Sequence, residues 1–503
     1  MEISKEVKFV LDKLKEAGYE AYIVGGCVRD FLRGVEPKDW DVTTNAKPEE
    51  IQKVFSDSFY KNKFGTVTVR IQKSKIKKQN DNLKFRDNKI QKLQFIEIEI
   101  TPFRTEEKYS DKRHPDQIHW AKSIEEDLAR RDFTINAMAA TPMVSKSKVK
   151  NEKLNIIDLF KGQKDLANKL IRAVGKPEDR FSEDALRMMR AVRLATTLNF
   201  EIEPETFKAI QKNAFWIKAV SKERIRDELV KVILSDCPDR GILLLKDTGL
   251  LKFIVPELEK GIGVSQNRHH IYTIFQHSVL SLKYCPSKKL EVRLAALFHD
   301  IAKPETKRGK GPDATFYNHD RVGAKITMKI LGRLRFSKEL IEKVALLVKN
   351  HMFYYNVGEV TESGVRRLIR RVGLENMEDL IALRIADRLG SGVPKAKPYK
   401  LRHLEYLIRK VSKDPISVKM LKVGGGDVMR VLNIKPGPMV GAVLNALLAE
   451  VLEDPSLNKR DILEKKIKEF GNLSLEILKE RAREVEEKKE EIEAEEKKKF
   501  YLK

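Results

Sequence analysis

Cysteine is scarce in this chain, with three residues among 503. Cys27, Cys237 and Cys285 lie far apart in the sequence, and this spacing excludes both a disulfide framework and a zinc knuckle. A reducing cytoplasm is therefore the expected compartment. No apolar run approaches the ~20 residues of a membrane helix, and the N-terminus lacks the apolar core and cleavage site of a signal peptide. We expect neither a membrane segment nor a secreted disulfide scaffold.

Acidic residues are fewer than basic ones, at 74 Asp and Glu against 99 Lys and Arg, which leaves a net charge of +25. A polyanion is the natural partner of such a chain, and nucleic acid is the first candidate. The hydrophobic fraction of 41% is typical of a globular protein. At about 150 residues per domain, the length predicts three to four domains.

A glycine pair and an Asp-x-Asp pair stand close together near the N-terminus. Gly25 and Gly26 let backbone N–H groups approach phosphate oxygens, and Arg29 follows them. Asp39 and Asp41 lead into a strand-like run, where alternate residues point to one face. Two such carboxylates suit Mg²⁺. The combination predicts phosphoryl or nucleotidyl transfer, with an ordinary turn and loop as the alternative.

A second strand-like run, residues 95–101, carries a further acidic face. Its alternation of polar and apolar residues places Glu97 and Glu99 on one side. If this strand runs beside Asp41, Glu99 adds a third carboxylate, and the three could hold two Mg²⁺ ions about 3.5–4 Å apart. The alternative is that these glutamates only line a solvent-exposed face.

A basic, polar segment at residues 72–94 separates that strand from an earlier one at residues 66–71. Its lysines outnumber its acidic residues, and we expect an extended hairpin or mobile loop. Contact with RNA is one use for it, but a solvated run of charge is the favoured interpretation.

Two arginine-rich motifs follow. In the first, Arg130 and Arg131 can supply positive charge to a triphosphate, and Asn136 can donate or accept at a sugar or base edge. A structural Arg–Asp network would have the same composition.

The second motif, residues 183–193, predicts one helix with a broad polar side made by Asp184, Arg187, Arg190 and Arg193. A carboxylate can accept from the exocyclic amine of cytosine or adenine, and guanine and uracil present a carbonyl there. The motif thus offers a way to select C and A without a template. An ordinary salt-bridged surface helix is the alternative.

In order and rough spacing, these motifs resemble those of the class II tRNA nucleotidyltransferases, the CCA-adding enzymes, and of the related bacterial poly(A) polymerases. The resemblance covers residues ~5–230. It implies Mg²⁺ ligands at Asp39 and Asp41, NTP contacts at Gly26 and Arg29, a triphosphate or sugar contact at Arg131, a base-selecting pair at Asp184 and Arg187, and triphosphate contacts at Arg190 and Arg193. Residues 135–139 look more like CCA-adding enzymes than poly(A) polymerases. A specialist that adds only A or only CC shares every motif.

Six of the nine histidines fall between residues 269 and 351. His299 and Asp300 belong to an apolar run, residues 294–301, that predicts a buried helix, where ionisable neighbours are costly unless they pair or bind metal. Imidazole and carboxylate together suit Mn²⁺, Fe²⁺ or Ni²⁺. The pattern resembles the HD phosphohydrolase superfamily, which implies ligands at His277, His299, Asp300 and Asp387, with His319 and His351 as the additional histidines of two-metal members. A degenerate HD fold that binds RNA is the alternative.

The predicted fold is α+β, with a small mixed-sheet head at residues 1–140 followed by helical parts. These are a neck at residues 141–260, an HD domain at 261–400 and a tail at 401–503 that ends in a Glu- and Lys-rich helix or frayed segment. Glycines 424–426 predict a turn before a helix and no phosphate loop.

The expected function is template-independent addition of C and A, from CTP and ATP, to the 3′ acceptor end of tRNA, without a membrane. The resemblance also implies phosphatase or 2′,3′-cyclic phosphodiesterase activity in the HD domain. The alternatives are a CC- or A-adding specialist, a poly(A) polymerase, an HD phosphohydrolase with an inert head, and a non-catalytic RNA-binding protein. No pattern in the sequence indicates an oligomeric state.

Overall fold

A computed structural model describes residues 3–37, 39–60, 65–72, 95–107, 117–143, 154–267, 271–353, 355, 362–392, 398–413, 421–478 and 480. The chain divides into two compact units, Met1–Lys349 with Leu389–Gly392, and Asn350–Arg388 with Val393–Lys503. Each unit is described by itself.

The first unit opens with the elements of the head. In chain order they are α1 (Lys5–Glu16), β1 (Ala21–Val24), α2 (Gly26–Leu32), β2 (Asp41–Thr44), α3 (Pro48–Val54), β3 (Ser58–Tyr60), β4 (Val67–Gln72), β5 (Phe95–Pro102), β6 (Arg104–Glu107), β7 (Gln117–Trp120), α4 (Ile124–Ala129), β8 (Ala139–Pro142) and β9 (Leu154–Ile157).

Seven of these strands form one mixed sheet in the order β3-β4-β5-β2-β1-β8-β9. β1 is antiparallel to both β2 and β8, and β2 runs parallel to β5. The predicted strands at residues 66–71 and 95–101 are confirmed as β4 and β5. Along β5, Ile98 and Ile100 are buried and Glu97 is exposed, as the alternation predicts. The predicted neighbourhood of the Asp41 and Glu99 strands is also confirmed, because Asp41 lies opposite Glu99.

Helices dominate the rest of the chain, so the predicted α+β class is confirmed. The elements are α5 (Gly162–Ala167), β10 (Leu170–Ile171), α6 (Pro177–Glu183), α7 (Leu186–Leu198), β11 (Glu201–Ile202), α8 (Pro204–Asn213), α9 (Lys222–Ile233), α10 (Pro238–Asp247), α11 (Leu251–Ile254), α12 (Pro256–Glu259), α13 (Ile274–Lys283), α14 (Leu290–Phe298), α15 (Lys303–Thr306), α16 (His319–Arg333), α17 (Lys338–Asn350), α18 (Glu362–Val372), α19 (Met377–Gly390), α20 (Tyr399–Lys413), α21 (Gly425–Leu432), α22 (Pro438–Glu453) and α23 (Arg460–Gly471).

The prediction of one continuous helix over residues 183–193 is wrong, because the helix is interrupted at Asp184. α6 ends at Glu183, and Asp184 has an extended backbone with φ −139° and ψ 103°. Its Oδ1 accepts a hydrogen bond from the backbone N–H of Leu186, at 3.1 Å, at the start of α7. A short acidic side chain that bonds to nearby backbone competes with the helix and favours such a boundary.

Two further boundaries bear on the predictions. The apolar run at residues 294–301 is helical only as far as Phe298, so His299 caps α14 and Asp300 follows it. Gly424 precedes α21, and its N–H donates to Asp427 Oδ2 at 2.9 Å; the predicted helix is confirmed, but Gly425 and Gly426 belong to it and not to a turn before it. The basic segment beyond Gln72 and the residues after 480 lie outside the described residues. Among the residues that are described, none of the helices is both long and apolar enough to cross a bilayer.

Candidate active site and candidate metal centre

Gly25 forms a left-handed turn between β1 and α2, with φ +82°. Its N–H donates to the carbonyl of Met138 at 3.1 Å, which ties the turn to the start of β8. A Cβ at this position would lie 3.1 Å from Arg131 Nη1 and 4.0 Å from Asp41 Oδ2. Three separately predicted motifs therefore meet at this turn, and only glycine has both the backbone freedom and the small size that it requires.

The three predicted carboxylates lie at one end of the β2–β5 pair. Asp41 is the first residue of β2 and is paired in register with Glu99 on β5. Asp39 lies before the strand, in a bend, so the expectation that strand geometry aligns it with Asp41 is wrong. Asp39 and Asp41 are exposed and Glu99 is half-buried, so all three keep access to water. Carboxylate oxygens of this kind fit Mg²⁺, which prefers oxygen ligands and retains several waters.

A hydrogen-bonded chain joins the predicted nucleotide contacts from three segments. Arg29 Nη1 donates to Asn136 Oδ1 at 2.7 Å, and Asn136 Nδ2 donates to Asp132 Oδ1 at 3.3 Å. On α7, Arg190 donates through Nε and Nη2 to Asp132 Oδ2, at 2.8 and 2.6 Å. Burial by itself would raise the pKa of Asp132, but Arg190, together with Arg187 and the hydrogen bond from Asn136, outweighs this effect and holds that pKa well below the usual range. Asp132 is therefore a fixed anion at the centre of this network.

Asp127 holds the two neighbouring arginines. It is fully buried, and it accepts from Arg130 Nη2 at 2.6 Å and from Arg131 Nη2 at 2.8 Å. Burial opposes its ionisation, but the charges of Arg131 and Arg130 more than offset this effect and lower its pKa. The Arg–Asp network considered as an alternative is present, and it also aims Arg131 at the Gly25 turn.

The predicted base-selecting pair is held by partners that sequence reasoning missed. Arg224, on α9, donates through Nη1 and Nη2 to the two carboxylate oxygens of Asp184, at 3.2 and 2.7 Å. Arg187 Nη1 bonds to Glu183, and its Nη2 donates to the carbonyl of Arg130 at 3.1 Å. The pair is thus fixed against both α9 and the head motif.

Arg193 is held in the same way. Its Nε lies 3.0 Å from Glu228 Oε2, and Glu228 is buried on α9 four residues after Arg224. An Arg and a Glu spaced by four residues lie on one helix face. That spacing was a signal in the sequence that could have identified them.

A second cluster, of His and Asp residues, lies in the helical part of the first unit. His277 Nε2 is 2.9 Å from His299 Nε2, and each is 3.2 Å from Asp300 Oδ2. His319 Nε2 lies 3.4 Å from Asp300 Oδ1, and Lys303 Nζ lies 2.7 Å from Oδ2. Burial by itself would raise the pKa of Asp300, but His299, Lys303 and the hydrogen bond from His277 together outweigh this effect and hold that pKa well below its ordinary value.

The donor set of this cluster fits a transition metal. Ligand atoms of His277, His299 and Asp300 all lie within 4.8 Å of one another, and the three residues are buried. Two imidazoles and one carboxylate match Mn²⁺, Fe²⁺ or Ni²⁺ better than Mg²⁺. His351 and Asp387 belong to the second unit, where Asp387 accepts from Arg384 at 2.6 Å. Their part in this site stays a prediction.

A mixed-sheet head that carries a glycine turn, arginines and surface carboxylates, followed by a helical part with a His–Asp cluster, defines a nucleotidyltransferase with an HD domain. Residues 21–172 match the poly A polymerase head domain, residues 199–262 the probable RNA and SrmB-binding site of polymerase A, and residues 270–391 the HD domain.

Comparison with individual relatives shows to which family of nucleotidyltransferases the chain belongs. The chain is 32% identical to a CCA-adding enzyme of Ligilactobacillus salivarius over 90% of its own length and 93% of the relative. It is 36% identical to an A-adding tRNA nucleotidyltransferase of Deinococcus radiodurans, over 65% of this chain and 74% of that one. The chain belongs to the tRNA nucleotidyltransferase family, and it is an enzyme, as the motifs predict.

Solved structures agree with this assignment. The CCA-adding enzyme of Bacillus stearothermophilus in complex with CTP aligns with a TM-score of 0.57 at 26% identity, over 92% of this chain and 96% of that one. A Thermotoga maritima CCA-adding enzyme complexed with tRNA aligns with a TM-score of 0.51 at 18% identity, over 93% and 96% of the two chains, and supports the fold alone.

Proposed function

We propose that this enzyme adds C and A nucleotides, from CTP and ATP, to the 3′ end of tRNA without a template. The observation that carries the proposal is the meeting of Arg131 and Asp41 at the Gly25 turn, with Glu99 opposite Asp41. This arrangement sets a phosphate cradle beside carboxylates. It supports transfer of a nucleotidyl group from an NTP.

Asp39 and Asp41, with Glu99 beside them, would hold two Mg²⁺ ions. The ions supply Lewis acidity that favours in-line attack of the tRNA 3′-hydroxyl on the α-phosphate and stabilises the departing pyrophosphate. The protein contributes position and charge. The backbone N–H of Gly26, at the start of α2, would approach the phosphates, and Arg131, with Arg29 on the Asn136 side, would balance the negative charge of the triphosphate.

Selection of the base is assigned to Asp184 and Arg187. A carboxylate accepts from the exocyclic amine that C and A share, and it repels the carbonyl that G and U present. Arg224 holds Asp184 by two hydrogen bonds, and therefore fixes the direction in which that acceptor points. Arg190 and Arg193 stay assigned to the triphosphate side.

The decisive experiment incubates the enzyme with three tRNAs, which end before the CCA sequence, after its first C or after its second C. Each tRNA is tested with CTP, with ATP and with both. Complete CCA on the shortest tRNA supports the proposal. Addition of A alone to the CC-ended tRNA indicates an A-adding specialist, which the Deinococcus radiodurans relative favours. Addition of CC alone, or long tails on generic RNA, contradicts the proposal in favour of a CC-adding enzyme or a poly(A) polymerase.

The catalytic carboxylates are tested in the same assay. Asp39→Ala combined with Asp41→Ala should abolish nucleotide addition, because the site loses two of its oxygen donors, while tRNA binding in a gel-shift assay stays unchanged. Asp57→Ala, an exposed aspartate of the head, is the control. Full addition by the double variant would remove the basis of the assignment.

We also propose that the HD cluster hydrolyses phosphate esters at RNA ends. His277, His299, Asp300 and His319 would hold Mn²⁺, Fe²⁺ or Ni²⁺, with His351 and Asp387 as further predicted ligands. His299→Ala should remove metal-dependent hydrolysis of a 2′,3′-cyclic phosphate and leave nucleotide addition intact. If addition were absent in the unaltered enzyme and only hydrolysis depended on His299, an HD phosphohydrolase with an inert head would be the correct description.

A further inference from the structure

Lys303 is a buried cation inside the HD cluster. It is the first residue of α15, and its exposed fraction is 7%. Its Nζ lies 2.7 Å from Asp300 Oδ2, donates to Gln266 Oε1 at 2.7 Å, and sits 5.5 Å from the centroid of the Phe316 ring. An ion pair, a hydrogen bond and a cation–π contact therefore hold the ammonium from three directions. The fold therefore fixes the position of the Lys303 ammonium.

Lys303 contacts the same oxygen of Asp300 that His277 and His299 also contact. Asp300 Oδ2 lies 3.2 Å from His277 Nε2 and 3.2 Å from His299 Nε2. A divalent cation bound by these three residues would share its carboxylate with a fixed ammonium. Like charges repel strongly where burial limits screening by water. The same ammonium compensates the buried Asp300 charge when no metal is bound, which removes part of the drive to bind one.

We propose that Lys303 is the internal counter-ion of Asp300. Its ammonium lowers the affinity of the HD metal centre for divalent cations and stabilises the fold when no metal is bound. This inference rests on the proposed metal centre at His277, His299 and Asp300. Lys303 would set the affinity of the site and the position of Asp300, and it would not itself bind the metal. Its consequence is that a neutral residue at position 303 strengthens metal binding.

The test compares Ni²⁺ binding by tag-free, full-length protein in isothermal titration calorimetry. Ni²⁺ suits imidazole ligands and disfavours the all-carboxylate site of the head. Lys303→Met should bind Ni²⁺ at least about tenfold more tightly than the unaltered chain, since one opposing charge at close range is removed. Lys303→Arg keeps the charge and should bind as the unaltered chain does. Adding His299→Ala to Lys303→Met should abolish the tight binding, which locates the ion.

Lys307→Met is the matched control. Lys307 lies four residues further on and donates to the carbonyl and Oγ of Ser265, at 2.7 and 3.1 Å, away from Asp300. Its loss removes a nearby positive charge without touching the cluster. The affinity for Ni²⁺ should then change less than about twofold, because this half-buried ammonium is held at Ser265 and its charge is better screened than one in contact with Asp300.

The outcomes separate this inference from the proposed metal centre. Equal or weaker Ni²⁺ binding by Lys303→Met overturns the role of Lys303 and leaves the metal centre standing. Binding by neither protein overturns both. If Lys303→Met is too unstable for calorimetry, thermal unfolding replaces it: Ni²⁺ should raise its Tm more than that of the unaltered chain. A smaller or equal rise contradicts the inference.

Discussion

Replacing Asp132 with Asn tests whether the ion pair between Asp132 and Arg190 holds the head to α7. Asp132 Oδ1 accepts from Phe133 N and Asn136 Nδ2, and Oδ2 accepts twice from Arg190. An amide has only one oxygen, so in either orientation its NH₂ group faces a donor. Breaking a buried pair costs about 3–5 kcal/mol. The Arg190 side chain is 35% exposed, and its freed charge can reach water, so we expect about 3 kcal/mol.

The assay is urea unfolding followed by tryptophan fluorescence. All three tryptophans, Trp40, Trp120 and Trp216, lie in the first unit, so the signal reports on that unit alone. Asp227→Asn is the matched control. Asp227 pairs with Arg226 at 2.9 Å and is 57% exposed, and such a pair contributes at most about 1 kcal/mol. Equal midpoints for the two variants would refute the reasoning.

The pH dependence has a definite sign. The folded-state pKa of Asp132 lies below its ordinary value of 3.8, so the pair contributes fully at any pH well above 3.8. That contribution is lost as the pH falls through the lower, folded-state pKa. The stability difference between the unaltered chain and Asp132→Asn should therefore be constant between about pH 6 and 8 and should narrow below about pH 4. A difference that grows on acidification would contradict the assignment of the charge.

Two further predictions concern the active site. Gly25→Ala and Gly34→Ala both place alanine at a positive φ, +82° and +73°, where backbone strain costs about 1–3 kcal/mol. Only the first crowds Arg131, so kcat/KM for CMP addition should fall at least about tenfold in Gly25→Ala and stay near normal in Gly34→Ala; equal losses would contradict this. Arg224→Met should increase misincorporation of GTP and UTP in single-turnover assays, while Arg226→Met should not; unchanged fidelity in both would remove the positioning role.

Sequence patterns predicted those elements of the fold whose formation depends on residues close together in the chain. Strict alternation over residues 95–101 gave β5 and put Glu99 on its polar face, because a strand has a period of two. Glycines 424–426 predicted the boundary before a helix, and α21 begins at Gly425. The break at Asp184 was missed, since helical spacing continues through it and only the side-chain bond to the next helix shows the boundary.

The contacts that position the sites could not be predicted in this way. Arg224 reaches Asp184 across 40 residues of chain, and Lys303 reaches Gln266 across 37. Such pairings depend on how helices pack, and no periodicity encodes them. Lys303 illustrates the difficulty further, because a lysine followed by proline and glutamate gives no sign in the sequence that it is buried.

The ion pairs around Arg29 and Arg131 do not exclude the proposed role of these arginines in binding a triphosphate. A guanidinium has five N–H donors in a fixed plane, and a carboxylate accepts only part of them. Asp127 takes Nη2 of Arg131 and leaves Nη1 directed at Gly25. Asp30 takes Nε and Nη2 of Arg29 and Asn136 accepts from Nη1, so these partners fix the position of this guanidinium. The carboxylates orient these cations at the cost of part of their charge, which is the arrangement that a preorganised anion site requires.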